Sequence, residues 1–213
     1  MAPCGSVEKQ GVQQCTPLLF TKNMKTIICD IDGTITNIWP IEKSVLLYLI
    51  DRKFEKDIDK IKLSGISDTY KIFLKFSNQK ISKKKYTDFY NQSFSVLLKN
   101  GKLPAPEKYY FAKWVFTNRN KYRFVYATGG QRLETLYVLK NLGLLKYFDL
   151  ENSTDRTTCR FSKKTGIPFK KMKSKFKDCV LVSDSKADCK GATLAKIPFI
   201  LIKPKQNYFD FIL

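Results

Sequence analysis

The 213-residue chain contains no histidine. That absence excludes Ser-His-Asp and Cys-His nucleophile systems, histidine-based phosphatases and every imidazole metal site. Acid–base chemistry must fall to carboxylate, lysine, tyrosine or thiol. None of the six cysteines forms a Cys-x-x-Cys pair, which argues against a zinc or thioredoxin-like centre. Cys29 and Cys179 lie in or beside apolar runs and Cys189 in a helical turn, so reduced thiols and a cytoplasmic setting are expected. Cys4 and Cys15 are the pair left with scope for a disulfide. Long apolar runs are also missing. Val45 to Ile50, the longest aliphatic run in the first half, falls far short of the about 20 residues that span a bilayer. Residues 1–23 lack a basic start followed by an apolar core, so no secretory signal is expected and they read as a loose arm. Negative charge is scarce: 19 Asp+Glu stand against 39 Lys+Arg, a formal charge of +20.

What is present is a set of short apolar runs that end in chemistry. Thr26-Ile27-Ile28-Cys29 reads as a buried parallel strand, and Asp30, Asp32 and Gly33 follow it. Successive strand residues point to opposite faces, so the two carboxylates start on one face at the strand's carboxyl end. Ligands bind at that end of an open α/β sheet. One carboxylate can attack phosphorus and the other move a proton, or the pair can hold a hard cation. Asp-x-Asp-Gly is also ordinary turn chemistry, so its weight comes from recurrence. Tyr122 to Ala127 is a second apolar run, closed by Thr128, Gly129 and Gly130. A hydroxyl and freed backbone N–H groups at such a turn suit a phosphate. Val180-Leu181-Val182 is a third, ending in Ser183-Asp184-Ser185 with Asp188 in the first turn of the next helix. Ile197 to Ile202 reads as a further buried strand, and Leu133 to Leu142 as a helix.

Together these strand ends resemble the haloacid dehalogenase superfamily, whose members are mostly phosphatases. DIDGT at 30–34 resembles the first motif in its two-aspartate form, Thr128 in YATGG the second, and SDSKAD at 183–188 the fourth. NLGLLKYFDL, Asn141 to Leu150, resembles the segment joining the second motif to the next strand. The third motif is a lysine within FSKKTGIPFKKM: Lys163 by its distance to Phe169, or Lys164. The resemblance implies an α/β fold, a Rossmann-like parallel sheet flanked by helices. It implies Asp30 as nucleophile and Asp32 as general acid–base. Thr128, Gly129 and Lys163 or Lys164 would hold the phosphoryl group. Mg²⁺ would sit on Asp30, the Asp32 carbonyl, Asp184 and Asp188, the last directly or through water. A hydrolytic dehalogenase of the family would lack the second aspartate, so Asp32 argues against that chemistry.

Asp30 and Thr128 lie 98 positions apart, far more than the dozen or so residues that a crossover needs. The intervening segment has helical spacing: Val45, Leu46, Tyr48 and Leu49; Tyr70, Phe73, Leu74 and Phe76; Tyr86, Phe89, Tyr90, Phe94, Leu97 and Leu98. It resembles the helical cap that family members insert between the first two motifs. The expected organisation is an arm at 1–23, a core at 24–39 plus 104–213, and a cap at 40–103. Pro104-Ala105-Pro106-Glu107 is expected to start a helix that packs Tyr110, Trp114 and Val115 on the sheet. Caps close over small substrates, so the expected partner is a small anionic phosphomonoester. The basic excess is uneven: nine basic against two acidic residues from Asp155 to Asp178, and seven against one from Lys99 to Arg123. Such a field draws anionic substrates and also suits nucleic acid. Nucleic-acid binding or end processing is therefore the rival reading. Sugar phosphomutation is a further one, and no membrane association is expected.

Overall fold

The structure, a computed structural model, describes residues 24–66 and 68–204. The expected arm at 1–23, with Cys4 and Cys15, lies outside the described residues. Four strands form one parallel sheet: β1 (Thr26–Cys29), β2 (Arg123–Tyr126), β3 (Cys179–Ser183) and β4 (Phe199–Leu201), in the order β2-β1-β3-β4. Cys29 pairs with Tyr126 on one side and Val182 on the other. Alternation along each strand divides the core. Ile27, Cys29, Phe124, Tyr126, Val180 and Val182 face one apolar cluster. Ile28, Val125, Cys179 and Leu181 face another, completed by Phe169, Met172 and Ala192. A strand with apolar residues on both faces must be covered on both, and helices do this here.

Among the described residues, five helices lie between β1 and β2 in sequence, the first four being α1 (Trp39–Leu49), α2 (Glu55–Leu63), α3 (Thr69–Ser77) and α4 (Lys83–Lys99). Side-chain oxygens set two of the starts. Asp68 accepts from the Tyr70 N–H at 3.1 Å, and Ser82 from the Lys85 N–H at 3.2 Å, each satisfying a first-turn donor. Asn78 ends α3 in the left-handed conformation. Val45, Phe73, Tyr86, Tyr90 and Phe94 bury their side chains in the cluster that also covers β1 and β2. Beyond them come α5 (Tyr110–Thr117), α6 (Arg132–Asn141), α7 (Ile167–Lys175) and α8 (Lys186–Leu194). Among the described residues, no helix is long and apolar enough to cross a membrane. Cys29, Cys159, Cys179 and Cys189 are free thiols.

Two expectations are corrected. The helix expected from Pro104 begins only at Tyr110. Proline disfavours the helical region for the residue before it, so Pro104 and Pro106 act against helix at Leu103 and Ala105. The stretch is pinned to the first turn, since Thr36 Oγ1 donates to the Glu107 carbonyl at 2.5 Å and the Tyr109 N–H to the Ile35 carbonyl at 3.1 Å. The apolar run Ile197 to Ile202 gives only a three-residue edge strand, with Phe199 and Leu201 about half exposed. Its neighbours Ile197 and Ile202 are the buried ones.

Candidate functional site

The central position of β1 decides what meets at its end. The Asp30 N–H continues the ladder to the Val182 carbonyl at 3.0 Å, and the Ala127 N–H reaches the Cys29 carbonyl at 2.9 Å. The segments that follow β2 and β3 therefore open beside Asp30. Its Oδ1 accepts from the Ile31 N–H at 2.8 Å and lies 2.6 Å from Lys163 Nζ. Ser183 Oγ stands 3.3 Å from Asp30 Oδ2 and 2.9 Å from Asp188 Oδ2, so its single proton bridges one or the other. Lys163 Nζ also pairs with Asp188 Oδ2. Burial acts to lower the Lys163 pKa, but Asp30 and Asp188 outweigh it and hold it above its ordinary range. Lys164, Lys170 and Lys171 are exposed. The structure thus brings Lys163, and not Lys164, against the carboxylates.

Gly33 turns the chain at φ +76°, a conformation that side chains rarely adopt. A Cβ there would fall 2.1 Å from Asp184 Oδ2, so the missing side chain is what admits Asp184. Thr34 Oγ1 accepts from the Asp184 N–H at 3.1 Å and lies 3.3 Å from Asp184 Oδ1. Asp32 Oδ1 accepts from the Ile38 N–H at 3.0 Å. Burial, with Asp30's charge adding to it, pushes the Asp32 pKa up, against the Ile38 N–H and Lys62. Burial and then Asp30 push Asp184 and Asp188 up to about 6, with Asp32 adding at Asp184. Carboxylates crowd here faster than the protein supplies cations.

The second turn faces this cluster. Thr128 is buried, its N–H donates to the Thr154 carbonyl at 3.0 Å, and its Oγ1 accepts from the Gly130 N–H at 3.0 Å. Asp155, fully buried, organises the neighbouring loop. It accepts from Tyr126 Oη at 3.0 Å and from the Thr157 N–H at 2.9 Å, and pairs with Arg132 at 3.3 Å. Burial would raise its pKa, but these hydrogen bonds leave it below the ordinary value. The loop so held sets Arg156 Nε on the Gly129 carbonyl.

Sequence reading missed three contributors. Ser183 lies within the fourth motif but was not given a contact. Asp155 shows itself only through the Thr-Thr pair after it, which suits an Asx-type turn. Gly191, in the middle of α8, looks like a weak helix residue. A Cβ on it would fall 2.0 Å from the Lys163 carbonyl, so its absence lets the Lys163 turn lie directly on α8.

Among the described residues, no group of three His, Cys, Asp or Glu side chains is gathered closely enough to hold a metal ion alone. Lys163 stands between Asp30 and Asp188, while Asp184 is tied to Thr34 on another side. Magnesium seldom needs a complete protein cage: it keeps several waters and takes one or two carboxylates. An all-oxygen set with raised carboxyl pKa values at Asp184 and Asp188 fits such an ion.

Sequence comparison finds no matching family model and no matching curated protein. Solved structures do match. A predicted phosphoglycolate phosphatase from Haemophilus somnus 129PT superposes with TM-score 0.65 at 16% identity, covering 87% of this chain and 88% of that one. CbbY from Rhodobacter sphaeroides, solved with phosphate, gives TM-score 0.61 at 15% identity over 89% and 90% of the two chains. YfnB from Bacillus subtilis, assigned as a HAD-hydrolase and solved with magnesium bound, gives 0.56 at 15% identity over 85% and 87%. At these identities the likeness shows the fold: the chain has the fold of the haloacid dehalogenase superfamily.

Proposed function

We propose, from that fold and the geometry at the end of β1, that the protein is a phosphatase acting on a small phosphomonoester through an aspartyl-phosphate. The observation that carries the reading is the Asp30 carboxylate, fixed by the Ile31 N–H, Ser183 and Lys163 at the end of the central strand. Fixed there, Asp30 attacks phosphorus and the ester oxygen leaves. Asp32, its pKa raised by burial, is suited to deliver the proton to that oxygen and then to take one from the attacking water. Thr128, Gly129 and Lys163 hold the phosphoryl oxygens. No described group accepts from the Gly129 N–H, whereas the neighbouring Gly130 N–H is engaged by Thr128. Mg²⁺ would be held by Asp30, the Asp32 carbonyl and Asp184, with Asp188 as a ligand directly or through water. Its chemistry there is to neutralise the charge that keeps an anionic nucleophile from a phosphate.

Asp30→Asn tests the reading. An amide cannot attack phosphorus, so hydrolysis of an aryl phosphate should fall by at least about 10²-fold with the thermal midpoint retained. Retention of more than about a tenth of the wild-type rate sinks the assignment. Hydrolysis in ¹⁸O-water should place label in the released phosphate. Its absence, with a rearranged ester as product, would favour the phosphomutase reading.

A further inference from the structure

Against the Gly129–Gly130 turn lies a small cavity of about 40 Å³, bounded by α1, the start of α3, α4 and α6. Glu42 of α1 and Glu134 of α6 meet there. Glu134 is 3% exposed, and its Oε1 accepts from Tyr90 Oη at 2.9 Å. Glu42 Oε2 forms a long ion pair with Lys62 Nζ at 3.9 Å, which is beyond hydrogen-bond reach and leaves the carboxylate free to accept hydrogen bonds. The third wall is Tyr86, 5% exposed, whose buried Oη makes no well-formed hydrogen bond, Thr69 being the group that approaches it. The rings of Tyr70, Tyr86 and Tyr90 follow one another at 5.4 and 5.9 Å. The cations at the rim are occupied: Lys83 pairs with Asp68 at 3.4 Å, and Arg156 bonds the Gly129 carbonyl. In a chain of charge +20, this space, close enough to Asp32 for its charge to act on both glutamates, is acidic and aromatic.

We propose that this cavity seats a primary ammonium on the leaving group, so that the substrate is a short aminoalcohol phosphomonoester. The proposal rests on the phosphatase reading above and names the substrate class for that same site. An ammonium brings three donors, which Glu42, Glu134 and Tyr86 Oη can accept. A hydroxyl in its place donates once and leaves two buried acceptors unanswered. Aromatic faces add attraction for a cation and none for a hydroxyl. Burial, then Glu134 and Asp32, push Glu42 well above the carboxylate range, and burial, then Asp32, pushes Glu134 to about 7; Lys62 and Arg156 offset this only in part. The volume exceeds the about 10–15 Å³ needed by one water and is too small for a sugar ring or a base.

The test is titration calorimetry of Asp30→Asn protein, with Mg²⁺, using 2-aminoethyl phosphate and 2-hydroxyethyl phosphate. The amine should bind at least about tenfold tighter, as one or more charge-assisted bonds require. Glu42→Gln and Glu134→Gln in the same background should each cut that preference severalfold. Tyr86→Phe removes a buried hydroxyl that makes no well-formed hydrogen bond, so it should fold at least as well and still lower the preference. Equal binding of the two esters, or a preference that survives both glutamine variants, overturns the proposal. Turnover separates it from the reading it rests on. If wild-type protein releases phosphate from the hydroxyl ester as fast as from the amine, the ammonium seat fails and the phosphatase stands. If the amine binds selectively but no ester is hydrolysed, the seat stands and the phosphatase fails.

Discussion

Lys163 and Lys164 differ by one position and by everything around them. Lys163 Nζ touches Asp30 and Asp188, whereas Lys164 is exposed. Lys163→Met should cost about 10²-fold or more in kcat, the usual loss of a donor aimed at developing charge. Lys164→Met should stay within about twofold, as exposed substitutions do. Two mild variants would mean that another group, such as Lys170 or Lys171, holds the phosphoryl oxygens. Glu134 makes a different prediction at the same scale. Its carboxyl is pushed from 4.5 to about 7 by burial and then by Asp32, against the Tyr90 hydroxyl, the Gln131 backbone and Arg156. The folded protein therefore holds this proton more tightly than the unfolded chain. That stabilisation is full below about pH 4.5 and is lost as pH rises through about 7. Glu134→Gln stays neutral throughout. Its thermal midpoint relative to wild type should rise between pH 5 and pH 8, by the few degrees that about 1 kcal/mol produces in a protein of this size. A pH-independent difference removes the strained carboxyl from the account.

At the scale of elements, the Lys163 turn has its place because α8 has a gap. Gly191→Ala puts a methyl where the Lys163 carbonyl lies, at 2.0 Å, and presses on Phe169 at 3.0 Å. Helix propensity alone predicts stabilisation of about 1 kcal/mol for this change. The clash predicts the opposite sign for activity, with loss of kcat as Lys163 is displaced from Asp30. Kinetics together with a melting curve decide it, and unchanged kcat would show that the turn is not held by α8. Sequence alone could not see this, since a lone helix glycine reports weak propensity and says nothing of what lies across from it. The strands were legible because Thr26 to Cys29 and Cys179 to Val182 are apolar on both faces and stop at polar residues. The same signal overreached at Ile197 to Ile202, where composition cannot tell an edge strand from a central one. Asp30, Asp32, Thr128, Asp184 and Asp188 could be singled out as candidates because each falls within a few residues of the end of an apolar strand. Glu42 and Glu134 were not, because each reads as an ordinary helix glutamate until α1, α4 and α6 are packed together.

Across the whole molecule the charge is divided in kind as well as in amount. An open groove of about 750 Å³ leads away from Thr128, lined by six basic residues, among them Lys84, Arg160 and Lys164, against Asp88, Asp155 and Asp188. Such a mouth attracts anions, while the inner cavity holding Glu42 and Glu134 does not. A small phosphate ester would be steered by the first and sorted by the second. Steering acts on encounter over a Debye length of about 8 Å at physiological salt, and chemistry inside a closed site is screened much less. Raising salt should therefore lower kcat/KM modestly and leave kcat nearly unchanged. A nucleic-acid partner would behave differently, because each phosphate neutralised by lysine or arginine releases counterions. Its binding should fall by roughly 10³-fold or more between about 50 and 200 mM salt for several such contacts. Gel-shift titrations of single- and double-stranded DNA and RNA at those two concentrations separate the cases. Tight, salt-steep binding with inert small esters would turn the basic groove into the primary site. Weak binding with a salt-sensitive kcat/KM for a small ester would leave it as the approach to the end of β1.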